Sequence, residues 1–433
     1  MLGENIRKCG FWTLDFLRQG QIRKPYDDIK KIIGNEELGN KRTEEYLDNL
    51  LYHAVNTTNH YRKYKEYESL NDFPIITKKD IKNDYEGFLS NKYRMQDLIS
   101  VKTSGSYGTP FTFYLTNEKK ARQTAEIIYF SEWARYYVGT KHAYLRARVN
   151  KSRLKLIMQN EYYIYTRVID DNWLKNARDI IKDKKVKVLI GFPTAISAVA
   201  QYCNEQGDVS EDFSIIGVIT SSEPLLGSQR NVIESTFGCT CLSRYSTEEL
   251  GVLAHECSTS KKHHINTASY KVEILDLNED KPAKEGEVGR IVVTDLFSYA
   301  IPLIRYETGD LGVWGTECSC GLEGPIIESL HGRTIQSVYS TEGKKVLPYF
   351  IDEVMKDYSN VIQYQFIQDG RNNYRFKVCK IEGTDIEEEK IINGIKNWMG
   401  QDAIVKMELV DDIPTLPSGK RPYVINNYIP KKN

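Results

Sequence analysis

Residues 102–111 read KTSGSYGTPF, a run of small and hydroxylated positions in a chain otherwise rich in Tyr, Lys and Glu. Small side chains let backbone N–H groups approach a ligand closely, and glycine reaches dihedrals that other residues avoid. Hydroxyls at Thr103, Ser104, Ser106 and Thr109 could add donors, and together these have the chemistry of a phosphate cradle. The run lacks the lysine and spacing of a Walker A loop and is not a dinucleotide fingerprint. The competing reading is a polar turn between strands. A second chemical element is Lys420, in PTLPSGKRP, where prolines and a glycine prevent a helix and leave an ammonium on an exposed loop. A third is HECSTSKKHH at 255–264 with ECSCG at 317–321. Cys257, Cys318 and Cys320, with His263 or His264, form the three-sulfur, one-nitrogen set that a closed structural zinc site takes. The alternative is a group of reduced cysteines and surface histidines, since Cys-x-Cys is less diagnostic than Cys-x-x-Cys. Such a zinc site would be structural, because it offers no open position.

The elements that position these groups follow from periodicity. Residues 1–70 read as a helical lead-in, with Tyr46, Leu50, Leu51, Ala54 and His60/Tyr61 at helical intervals. Thr77 in FPIITKKDI is placed to cap a helix. The spacing predicts a helix from 118 to 140 that ends at Gly139. VKVLIGF is a buried-strand pattern followed by a helix with Pro193 at its start, and FSIIGVITSSEPL repeats the strand–turn–helix theme. This alternation predicts α/β layers with parallel strands. Past residue 265 the pattern becomes β-rich, and the last hundred residues read as an α+β unit with a hairpin near Asp369-Gly370. Cys239 and Cys241 read as core residues.

The chain has 433 residues, and 59 basic residues balance 59 acidic ones. No global field recruits nucleic acid or an anionic bilayer. The longest apolar run, at 186–200, is interrupted by Lys187 and Pro193 and falls short of the roughly 20 residues that span a membrane. The N-terminus mixes charge into its apolar residues, unlike a signal peptide. The eight cysteines lack the density of a secreted scaffold. These features predict a cytoplasmic protein without a transmembrane segment or nucleic-acid partner; a homodimer is allowed.

TSGSYGTP resembles the phosphate loop of the adenylate-forming enzymes. Their other motifs follow in order as SRYSTEELG (243–251), IRYETGDLG (304–312), HGRT (331–334) and IPTLPSGKRP (413–422). FPIITKKDI, SSEPL and QYQFIQ are similar to the phenylacetate–CoA ligase branch and, within it, to the CapK-like capsular-polysaccharide group. The resemblance implies an α/β fold: a large N-terminal adenylating domain of layered parallel sheets with a β-rich subdomain (1–332), and a small mobile α+β C-terminal domain (333–433) that carries the lysine loop. The hinge would lie near 332–337. It implies ATP, Mg2+ and CoA as reactants or cofactors. Thr103, Ser104, Gly105, Ser106, Gly108 and Thr109 would hold phosphates. Glu248 would bind Mg2+, Thr247 would contact the α-phosphate, and Tyr245 and Ser246 would lie along the nucleotide, with Tyr245 near the adenine. Asp310 and Arg333 would take the ribose and phosphates, and Lys420 would enter for adenylation. Tyr129, Phe192, Ser222 and Glu223 would wall the acid pocket. Arg146, Arg148, Lys151 and Arg153 are open to an anionic or sugar-like substrate, or to water alone. Two departures stand out: Tyr107 where the family has Thr, and Gln336 as the nearest polar residue to the hinge. The implied function is AMP-forming activation of a small carboxylic acid and transfer to CoA. An amine or sugar acceptor in polysaccharide biosynthesis is the alternative, and a non-catalytic scaffold is the second.

Overall fold

A computed structural model describes residues 2–102, 112–146, 151–166, 169–331, 338–347, 350–355, 357–358, 360–414 and 422–428, without the side chains of Leu2 and Asp352. The N-terminal helices are α1 (Leu2–Leu17), α2 (Arg23–Ile32) and α3 (Glu36–Thr57). The buried face of α3, with Leu47, Leu50, Leu51 and Ala54, packs on the β-rich part of the large domain. His60 and Tyr61 lie beyond its end. Helices α4 (Lys78–Asn83) and α5 (Tyr85–Phe88) follow. Thr77 caps α4 by accepting from the Asp80 N–H, and the Asp80 carboxylate closes the box on the Thr77 backbone N–H at 2.8 Å.

Strands β1 (Ile99–Lys102) and β2 (Thr112–Leu115) pair antiparallel, with Lys102 opposite Thr112. Thr116 then caps α6 (Asn117–Ser131) by accepting from Lys119 N. The sequence predicts that this helix runs on to Gly139. It instead passes through a 3-10 turn at Glu132–Ala134 and stops at Arg135, a left-handed residue at φ 60°. Gly139 makes room for α1 instead, since a Cβ there would lie 2.6 Å from the Glu4 carbonyl of that helix.

Five parallel strands carry the Rossmann-like half. They are β3 (His142–Arg146), β4 (Glu161–Tyr165), β5 (Val188–Gly191), β6 (Gly217–Ser221) and β7 (Cys241–Thr247). Helices α7 (Arg153–Gln159), α8 (Asp171–Asp183), α9 (Pro193–Glu205) and α10 (Gly227–Phe237) connect them. From β7 the sheet turns antiparallel through β8 (Gly251–Glu256), β9 (His263–Ile265), β10 (Tyr270–Leu275), β11 (Gly289–Asp295), β12 (Tyr306–Gly315) and β13 (Ile326–His331). All eleven share one sheet in the order β10-β11-β12-β13-β9-β8-β7-β6-β5-β3-β4. The change of sense at β7 brings the parallel half against the β-rich subdomain there.

The small domain holds β14 (Val338–Tyr339), β15 (Lys345–Val346), α11 (Phe350–Met355), β16 (Val361–Gln368), β17 (Asn373–Lys380), α12 (Glu388–Met399), β18 (Ile404–Leu409) and β19 (Val424–Asn426). The expected hairpin turns at Asp369, whose N–H donates to Asn373 O at 3.0 Å. Phe350, Phe366, Phe376, Ile391 and Ile395 form a core of its own. It meets the large domain at the start of α10: Ser228 Oγ donates to Val361 O, and Gln229 Nε2 donates to Ile362 O at 3.2 Å. Among the described residues no helix is long and apolar enough to cross a membrane.

Candidate active site

The β7–β8 hairpin presents Tyr245, Ser246 and Thr247 at the end of β7 and Glu248 in the turn. Thr247 Oγ1 accepts from Leu250 N at 3.1 Å, which closes the turn. Glu248 is exposed and Glu249 is buried, where it accepts from the Tyr306 hydroxyl at 3.2 Å. Gly251, at φ 119°, has no room for a side chain: a Cβ would sit 2.4 Å from Glu126 Oε2. The hairpin is clamped from α6. Gln123 Nε2 donates to the carbonyls of Glu248, Glu249 and Leu250 at 3.4, 3.3 and 3.1 Å, and Glu126 Oε2 accepts from Val252 N at 3.0 Å. Lys120 Nζ donates to Gln123 Oε1 at 3.1 Å. Burial pushes this ammonium below the usual lysine range, while Glu248 pulls the other way.

The β7 and β12 motifs meet. The Tyr245 hydroxyl donates to Asp310 Oδ2 at 2.8 Å and lies 3.3 Å from Thr308 Oγ1, although the chain separates Tyr245 from Asp310 by 65 positions. Thr308 Oγ1 accepts from Asp310 N and donates to Ile291 O, each at 3.1 Å. Gly309, at φ 81°, makes the local bend inside β12.

Thr103, Ser104, Gly105, Ser106, Gly108, Thr109, Arg333 and Lys420 lie outside the described residues. The β1–β2 pairing does bring the two ends of the 103–111 segment together at Lys102 and Thr112. Glu223 Oε2 accepts from Thr194 Oγ1 at 2.7 Å, which ties the turn after β6 to the start of α9. Ser222 holds that turn in a left-handed conformation, φ 74°. Phe192 is buried in the core beside Ala195 and Ile196. Tyr129 packs toward α2, with its ring 6.2 Å from Tyr26 and 5.1 Å from Phe130.

The ligand atoms of Cys257, His264, Cys318 and Cys320 all lie within 4.8 Å of one another. Cys318 Sγ is 3.5 Å from Cys257 Sγ and 3.1 Å from Cys320 Sγ, which is 3.2 Å from His264 Nε2. The nitrogen therefore comes from His264. His263, also buried, is not in this group. Burial would raise the Cys257 thiol, but donors from Ser260 and Cys318 outweigh it and hold it at about 7. Burial and the bond from Cys318 push Cys320 up to about 12. Three thiols and one imidazole match the donor chemistry of a closed zinc site.

Sequence reasoning missed the α6 clamp. Lys119, Arg122, Gln123 and Glu126 recur at helical spacing and are all buried. Lys119 pairs with Asp295 at 2.6 Å, and Arg122 pairs with Asp28 at 2.9 Å. A charged stripe at helical spacing ordinarily reads as a solvated face, and only the sheet packed over it reverses that.

The CapK C-terminal domain family matches residues 338–427. Protein CapK of Staphylococcus aureus is 24% identical over 436 residues, 95% of this chain and 94% of that protein. A phenylacetate-coenzyme A ligase of Thermus thermophilus is 29% identical over 196 residues, 42% of this chain and 44% of the ligase. The fold is similar to that of a 2-hydroxyisobutyryl-CoA ligase in its postadenylation state, in complex with R3-HIB-AMP, with a TM-score of 0.69, 15% identity and 89% of each chain covered.

Proposed function

We propose that this chain is an adenylate-forming enzyme of the branch that includes CapK and the phenylacetate–CoA ligases, and that it activates a small carboxylic acid with ATP and passes the acyl group to the thiol of CoA. The observation that carries this reading is the Tyr245–Asp310 hydrogen bond at 2.8 Å, beside a turn that displays Glu248. It joins two elements that a nucleotide needs at once, a hydroxyl-accepting carboxylate and an aromatic ring.

Asp310 accepts the ribose hydroxyls, with Tyr245 holding its carboxylate in place. Thr247 already accepts from Leu250 N, and its hydroxyl proton donates to the α-phosphate. Glu248 holds Mg2+, and its fit rests on an exposed hard oxygen ligand on a turn whose carbonyls are pinned by Gln123. When bound, Mg2+ neutralises charge on the triphosphate. Residues 103–109 cradle the phosphates through backbone N–H groups, and Arg333 adds a rigid fork of donors. The acid carboxylate attacks the α-phosphorus, the bond to the bridging oxygen of pyrophosphate breaks, and Lys420 balances the charge that builds there. The small domain, 333–433, then turns about 332–337 to admit the thiol. Ser222 and Glu223 border the acid pocket. Cys257, His264, Cys318 and Cys320 hold a structural Zn2+ that ties β8 and β9 to the segment before β13.

A screen of acids with ATP, with and without CoA, tests the reading. AMP together with an acyl-CoA mass supports it. AMP release with an amide or sugar ester as the sole product moves the acceptor to an amine or sugar. ATP binding without turnover across the panel rejects an enzyme.

A further inference from the structure

The register of the parallel half puts Tyr144, Ile190, Ile219 and Leu242 in one row across β3, β5, β6 and β7. Two residues further along, at the carboxyl ends of the strands, the same face presents Arg146, Ser221 and Arg244. Ligands of open α/β sheets bind at those ends. Ser221 leads directly into Ser222 and Glu223, so this row borders the proposed acid pocket.

Arg244 does not look like a structural arginine. It is 6% exposed, and among the described residues its Nε has no hydrogen-bond partner. The Tyr144 and Tyr136 side chains favour its charged form, and the second guanidinium, Arg146, works against it. Arg146 lies over the Tyr144 ring at 4.6 Å and is half-buried. No described carboxylate pairs with Arg244. Glu161 on β4 is engaged through Oε2 by Lys151 at 2.5 Å and by His142 at 3.1 Å. Glu256 on β8 is engaged by Arg230 and by Ser243 N, each at 2.7 Å. Outside the described set the chain supplies no Asp or Glu, apart from the side chain of Asp352 in the small domain. The cross-strand partner of Arg244, His255, also has a buried Nε2 without a partner among the described residues. A buried guanidinium without a counter-charge is costly, and a second one beside it raises that cost. A bound anion would relieve both.

We propose that the acid activated here carries a second anionic group, bound by Arg244 with Arg146 at the carboxyl end of the parallel strands. This rests on the acid-activating reading above and narrows its substrate class to dianionic acids. The reacting carboxylate faces the nucleotide side, and the second group is the handle that selects the substrate.

The test uses the whole protein in acid-dependent exchange of pyrophosphate into ATP. Matched acids differ by one carboxylate: propanoate and malonate, butanoate and succinate, benzoate and the phthalates. The expected result is a preference for the diacid of about tenfold or more in kcat/KM within at least one pair. Arg244→Met should lower the diacid value on the order of a hundredfold, leave the KM for ATP unchanged and shift preference to the monoacid. Arg146→Gln, at a half-buried position, should give a smaller loss in the same direction and keeps the test open if Arg244→Met does not fold. A wild-type preference for monoacids, or diacid-to-monoacid ratios unchanged in both variants, overturns the inference. If no acid supports exchange, the acid-activating reading fails separately. Calorimetric titration of the same diacids into wild type and Arg146→Gln then decides: binding weakened in the variant sustains the anion site, and no binding overturns it.

Discussion

Gln123→Leu removes the amide that pins the Glu248 turn while keeping most of the side-chain volume. Three carbonyls receive Gln123 Nε2, at 3.1 to 3.4 Å. Leu250 O keeps a second donor, the Tyr270 hydroxyl, so the loss falls on Glu248 and Glu249. An amide nitrogen has two protons, and a neutral hydrogen bond contributes about 1 kcal/mol net. The turn therefore loses about 2 kcal/mol of local stabilisation, equivalent to roughly 30-fold in the population of its native geometry. Glu248 itself is untouched, so the chemistry should recover once metal saturates the site. The assay is acid-dependent pyrophosphate exchange titrated with free Mg2+ at fixed ATP. The half-saturating Mg2+ concentration should rise by about tenfold or more, with the rate at saturation reduced far less. A Mg2+ curve that superimposes on wild type, in a protein that is folded but less stable, would refute the positioning role and leave Gln123 a packing residue.

Lys420→Ala should lower the exchange rate about a hundredfold or more with little change in ATP binding; an unchanged rate removes the lysine from adenylation. Purified protein should contain about one zinc per chain by elemental analysis, and Cys318→Ser should lose the metal and melt at a lower temperature. Metal-free protein of undiminished stability would argue for plain thiols. Asp208 is held below its ordinary value by Arg178, whose Nε and Nη2 donate at 2.5 and 2.6 Å, and by Lys182 at 2.7 Å. Its folded pKa lies below the unfolded one, so the stabilisation is present above about pH 4 and is lost as pH falls through the folded value. Asp208→Asn should therefore cost about 1 to 2 kcal/mol at pH 7, and its difference from wild type should shrink as pH falls through the folded value, read from urea unfolding.

Local features are the most legible in the sequence. Thr77 and its Asp80 partner mark a helix start because a cap needs only neighbouring residues. The β5–α9 unit follows from an apolar run and a proline at the first helical position. The Cys/His cluster is legible because ligand chemistry restricts residue types, but only the fold, which brings His264 and not His263 to the three thiols, decides between the adjacent histidines. The end of α6 is misleading because Gly139 suggests a helix stop, whereas its missing side chain accommodates α1. Arg244 lies one residue before Tyr245, inside a motif read for its Tyr, Thr and Glu. What sets it apart is burial without a carboxylate, which depends on the register of four strands. Gln123 is invisible for the same reason, since its partners lie 125 to 127 positions away.

The most direct measurement is the nucleotide product formed from ATP in the presence of an acid panel and Mg2+. Acid activation predicts AMP and pyrophosphate, formed only when an acid is supplied and reversible as exchange of labelled pyrophosphate into ATP. ADP and phosphate as products, or ATP that binds and stays intact with every acid whether or not CoA is present, would contradict it.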